Sequence, residues 1–340
     1  MDSLNVEKAK VAPLSRIHET RKGIGMAVAE QRASLGVRFA RWWQGFFYQW
    51  QLQIMVLPGI IFMIIFNYIP IYGLVLAFKN YTVVDTIGDA PWIGLDNFKI
   101  ILGDSYFWDS VVNTLGISVI KLVLGFILPI ILAVMIYEVP WKPFKKIVQT
   151  ITYLPHFFSW IILGGMLISW LSSNGLLNST LHVFGIDAGA NYLLDADKYW
   201  GIASLSDVWK EAGWGTILYL ATMAGIDQSL YEAAELDGAS KIKRIWHITL
   251  PGISNMITLN LILSVSGILN SNLDQTLVLM NSQNQSKAEV INSYVYRMGM
   301  TQGDFSYATA VGLGISIISA ILLVVTNAVT KKINDNQSVL

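Results

Sequence analysis

Six stretches of this chain are predominantly apolar, at about 52–78, 110–138, 147–171, 201–226, 253–280 and 307–330. Each approaches or exceeds the roughly 20 residues that a helix needs to cross a bilayer's hydrocarbon core. Backbone groups find no water in lipid, so every such stretch must be helical. The fold predicted is an all-α polytopic membrane protein with six transmembrane helices. Charged residues make up only 14% of the 340 positions, well under the roughly 25% of soluble domains. The fourth stretch is the weakest, because Lys210 and Glu211 sit inside it.

Lysine and arginine set the orientation. With the N-terminus inside, the cytosolic pieces are 1–50, 139–146, 227–252 and 331–340, and they hold 16 of the 23 basic residues. Both termini and the 227–252 loop are therefore predicted to face the cytosol. About fifty mixed polar residues precede the first apolar run without a small-residue cleavage site, so no cleavable signal is expected. Net charge is zero and there is no cysteine. Bulk electrostatics thus offers nothing to nucleic acid, and thiolate metal sites and disulfides are excluded.

The predicted outer loops are aromatic and turn-rich, as in Ala90-Pro91-Trp92-Ile93-Gly94 and from Asn191-Tyr192 to Tyr199-Trp200. Tyr and Trp favour the membrane–water interface; stacking on a carbohydrate is the alternative reading. Trp42, Trp43 and Trp50, among Arg38 and Arg41, predict an amphipathic helix on the inner surface. The partition predicted is an extension at 1–50, a first helix with its outer loop at 51–109, a core at 110–331 and a tail at 332–340.

The 227–252 loop reads E-A-A-x3-G-x9-I-x-L-P, from Glu232, Ala233 and Ala234 through Gly238 to Ile248, Leu250 and Pro251. Ser229 to Glu232 has the S-x-x-E form of a capping box, which predicts a short helix from Ser229. Gly238 supplies a left-handed stop. A second short helix is expected from about Ser240 to His247, with Pro251 marking re-entry into the fifth span. Small alanines beside a carboxylate let such a knob sit in a groove on another protein; capping its own helix is the alternative role for Glu232. His247 is read as a packed or interfacial side chain.

That loop resembles the cytoplasmic coupling loop of type I ABC importer permeases, and the resemblance extends over about 50–330. Its finer likeness is to the oligosaccharide and polysaccharide branch, or lipoprotein-associated permeases, related to alginate transporters. Ser206 to Gly215, Leu230 to Gly238, Ile291 to Gly299 and Gly303 to Ala310 carry it. The resemblance implies a permease subunit of an ATP-driven, binding-protein-dependent importer of sugars, foremost oligosaccharides, in the bacterial cell membrane. It implies a second permease, two cytosolic ATPases and an extracytoplasmic solute-binding protein as partners. ATPase coupling would fall to Tyr231, Glu232, Ala233, Ala234, Leu236, Asp237, Gly238, Leu250 and Pro251. No G-x-x-x-x-G-K-[ST] loop is present, so ATP belongs to a partner and this chain carries no cofactor.

The fifth stretch is unusually polar. Asn270, Asn272, Asp274 and Gln275 are candidates for the solute path, since amides both donate to and accept from sugar hydroxyls. Hydrogen bonding between helices is the other reading. Lys121, mid-way along the second stretch, either snorkels or lines the same cavity. The alternatives are an ion-coupled secondary transporter, for which no half-repeat is visible, and an ABC importer of a non-sugar solute. A membrane-embedded enzyme would need clustered acids or a metal site, and neither shows.

Overall fold

The structure, a computed structural model, describes residues 48, 50–186 and 189–333. The amphipathic helix expected around Trp42 and Trp43 and most of the predicted tail lie outside the described residues. The chain divides into two units, one ending at Tyr72 and the other beginning at Gly73. The first unit holds helix α1, Trp50–Met63, which continues through a wide π turn at Ile64–Tyr68.

In the second unit a 34-residue helix α2, Ser105–Glu138, runs beside α5, Tyr199–Met223. Asp104 caps α2 by accepting the Tyr106 N–H at 2.9 Å. These two helices pack along their length because small residues open the seam. A side chain at Gly116 would meet the Trp200 ring at 2.4 Å, and one at Gly215 would meet Pro129 at 3.2 Å. Ser204 Oγ donates across the seam to the Ile117 carbonyl. The core beneath it gathers Ile117, Leu193, Tyr199, Ala203, Leu279, Ala288 and Val290. The last long helix, α9, Phe305–Ile333, shares a second core with Ile101, Leu269, Ile291 and Tyr294.

The six predicted stretches are all occupied by helical structure, but two of them are broken. Among the described residues, Trp50–Phe78, Ser105–Glu138 and Phe305–Lys332 are each long and apolar enough to cross a membrane. The third stretch is a pair, α3 (Lys142–Tyr153, extended to Phe157) and α4 (Trp160–Trp170), bent by 98°. Pro155 and the extended backbone of Phe158 interrupt the helical ladder there. The fifth is also not continuous. Helical backbone from Lys241 to Gly252 bends by 62° into α7, Ser254–Ser266, which ends before a break and a short α8, Leu273–Leu279. Asn272 begins α8 by accepting the Gln275 N–H, so its polarity serves as a cap.

Replacing Gly116 with Leu is predicted to separate α2 from α5 at Trp200. Overpacking of this kind costs about 1–3 kcal/mol, read as a lowered melting temperature of the detergent-solubilised protein. An unchanged melting temperature would contradict the close seam.

Candidate functional site

The first candidate site is the hairpin between α5 and α7. Its leading helix, α6, spans Gln228–Leu236. The capping box predicted at Ser229 does not form: Asp227 is the cap, accepting the Ser229 N–H at 2.9 Å. That bond holds the Asp227 carboxyl below the usual carboxylate range. Asp227 wins because it precedes the helix in extended conformation, where Ser229 is already inside the first turn.

The helix ends as the glycine predicts. Gly238 has φ +74°, its N–H donates to the Glu235 carbonyl, and the Ala239 N–H reaches back to Ala234 at 2.9 Å. These are the paired bonds of a Schellman stop. Ser240 opens the return arm, which stays helical past the predicted end at His247, through a π turn and Leu250–Gly252.

Two side-chain bonds tie the arms together: Tyr231 Oη with Thr249 Oγ1 at 2.9 Å, and Arg244 donating to Glu235 at 2.9 Å. Leu250 packs with Ala133, Tyr219, Met223 and Ile253 at the foot of α2 and α5. Tyr231 is thus a brace and Leu250 an anchor. Glu232, Ala233, Leu236 and Asp237 are exposed, as is Pro251, while Ala234 is half-buried. Leu236 is 90% exposed, with Ile242 and Trp246 exposed beside the same hairpin. Among the described residues Glu232 has no hydrogen bond or ion pair, so its carboxylate is not spent on its own helix.

The second candidate is a polar cluster between α2, α5 and α8. Gln275 is 2% exposed. Its amide donates to the Ala203 carbonyl at 2.7 Å and to Ser206 Oγ at 3.0 Å, and its oxygen accepts from Lys121 at 2.9 Å. Lys121 lies 3.4 Å from Asp207. The ammonium therefore does not snorkel; it is neutralised in place, as a charge inside a bilayer requires. Asp207 and Ser206 escaped the sequence analysis as individual site residues. The available signal was charge complementarity, since a lysine and an aspartate in two predicted spans each need a partner.

The four path candidates of the fifth stretch differ in exposure. Asn270 is exposed in the break and accepts from Asn292 at 3.0 Å, Asp274 is exposed, and Asn272 is a half-buried cap. Gln275, by contrast, is buried and turned toward α2 and α5. Ser271 is buried there with its hydroxyl unpaired.

This helical membrane architecture, with its exposed hairpin, is that of a transport permease. The chain belongs to the family described as "binding-protein-dependent transport system inner membrane component", which it matches over residues 125–336. It is similar to the polygalacturonan/rhamnogalacturonan transport system permease protein YteP of Bacillus subtilis, 38% identical over 84% of this chain and 88% of that one. Protein LplB of the same organism is 38% identical over 83% of this chain and 88% of its own length. Among solved structures it resembles a bacterial ABC transporter that imports the acidic polysaccharide alginate. That likeness has a TM-score of 0.79 at 36% identity and covers 86% of this chain and 99% of the other. The chain is a multi-pass permease subunit of the ABC importer class, without an ATPase site of its own, and the secondary-transporter alternative falls away.

Removing only the acid of the Lys121–Asp207 pair strands a cation. Breaking one partner of a buried pair costs about 3–5 kcal/mol; the lower end applies here, because the two side chains keep 18% and 21% exposure. Asp207→Leu is thus predicted to lower the melting temperature more than the double change Asp207→Leu with Lys121→Met. Additive losses would mean that the pair is not coupled.

Proposed function

We propose that this chain is one of two permease subunits of an importer for oligosaccharides, powered by cytosolic ATPases and fed by an extracytoplasmic binding protein. The observation that carries the reading is the 38% identity, over 84% of the chain, to a permease named for polygalacturonan and rhamnogalacturonan transport. The alginate transporter, also seen with a periplasmic protein holding an alginate pentasaccharide, supports the same solute class and a binding-protein partner.

In this reading the 227–252 hairpin lies in the cytosol, together with both termini, as the lysine and arginine distribution favours. Its exposed Glu232, Leu236 and Trp246 give an ATPase groove one carboxylate and two apolar anchors, while the Tyr231–Thr249 brace and the Gly238 stop keep the knob stiff. Force applied there enters α5 directly, because only Ala224 to Asp227 separate the two helices. A rigid-body rocking of the spans then alternates access.

The solute path is proposed to pass the break between α7 and α8. Asn270 and Asp274 are exposed there, with Asn272 half-buried beside them. Lys121 and Gln275 hold the wall behind, their polar atoms already engaged with protein.

The test is ATP-dependent uptake of labelled oligosaccharides, neutral and acidic, into proteoliposomes holding the whole assembly. Asn270→Ala and Asp274→Ala are expected to slow uptake several-fold at normal abundance, since a lost hydrogen bond is worth about 0.5–1.5 kcal/mol. Unchanged uptake in both would move the path elsewhere. Passage of peptides or amino acids but of no oligosaccharide would overturn the solute class.

A further inference from the structure

The 98° bend of the third span sets a problem that the fourth span solves. A helix that breaks at membrane depth frees carbonyls that only protein can satisfy. The His156 carbonyl, in the bend, accepts from Lys210 Nζ at 2.8 Å. The same ammonium is neutralised by Glu211 Oε1 at 2.7 Å, and its side chain is only 8% exposed. Glu211 Oε2 in turn lies 2.7 Å from His156 Nδ1. Trp214 stacks on the same imidazole, with ring centres 4.2 Å apart and planes within 4°.

Gly213 completes the grip. A side chain there would sit 1.9 Å from the Thr152 carbonyl, so α5 touches the backbone of α3 directly. Residues 210, 211, 213 and 214 thus hold one short segment of the third span by charge, stacking and close backbone contact. These are the two charges that made the fourth stretch look least like a span.

We propose that Lys210 is a positioning residue for transport. With Glu211 and Trp214 it grips the third-span bend at His156, so that α5 and the bend move as one body when α5 is driven from the hairpin. The inference rests on the hairpin docking proposed above. Lys210 touches no solute in this account; it makes a backbone bond that fixes where α4 points. An ammonium suits the task because it can donate to a carbonyl and a carboxylate together.

The experiment uses the assembled importer in nanodiscs. The chain has no cysteine, so Ile161→Cys on α4 and Leu218→Cys on α5, both exposed, can carry a spin-label pair. In the otherwise wild-type chain the label distance should stay the same with and without ATP. With Lys210→Met it should broaden, while the maximal uptake rate falls about tenfold or more, as expected when a charge-assisted bond to a buried group is left unmade. The solute concentration for half-maximal uptake should not move, and Lys210→Arg should restore most of the rate.

A sharp, unchanged distance in Lys210→Met, or wild-type uptake, would overturn the proposal. So would a distance that changes with ATP in the wild-type clamp. Should Lys210→Met fail to assemble, Trp214→Leu removes the stack on His156, leaves the ammonium in place and faces the same outcomes. Docking is scored separately, by ATPase retained through purification. Loss of the ATPase with the clamp distance intact overturns the docking reading alone.

Discussion

A bilayer interior supplies no water to a broken helix, and the fold depends on how that constraint is met. Straight spans satisfy it alone. The third and fifth spans do not, and each break is repaired by polar side chains. Lys210 bonds the freed carbonyl at His156, and Asn272 caps the restart at α8. The helix that answers most of these demands is α5, which also carries Ser206 and Asp207 toward α2 and α8. Polarity that weakens α5 as a membrane span is what lets it join its neighbours.

The segment after α8 follows the same logic. Asn113 donates to the carbonyls of Ser286 and Glu289, both at 3.0 Å, and Trp200 donates to Lys287 at 3.0 Å. Arg297 grips Glu289 with two bonds, at 2.6 and 3.0 Å, which raise its already high pKa. Tyr294 and Tyr307 converge on Asp104. A segment of short helical turns, Gln285–Ala288 and Ile291–Tyr296, is thereby tied to α2, α5 and α9 by side chains.

Much of this was legible in the sequence. Apolar length gave the helical stretches, and the stop at Gly238 followed from its freedom to adopt φ +74°. The family was carried by the loop from Glu232 to Pro251. What could not be read was where a span breaks. Pro155 signals only that one hydrogen bond is missing, whereas a 98° bend needs Lys210 and Glu211 arriving from another helix. Likewise Asn270 to Gln275 read as one polar run, whereas the break leaves Asn270 and Asp274 exposed and Gln275 buried against α5. Local capping misled at Ser229, because Asp227 lay two residues earlier with an equally good oxygen. Contacts made over long sequence separation escape local rules.

In the proposed function, chemical energy enters this chain at the hairpin. Leu236, its most exposed large apolar side chain at 90%, is the residue to probe. A single Leu236→Cys in this cysteine-free chain should cross-link to the ATPase subunit through a short bifunctional reagent, and the cross-link should abolish ATP-driven uptake. If the cysteine stays free to react with a soluble thiol reagent throughout active transport, and no cross-link to the ATPase forms, the hairpin is not the docking element.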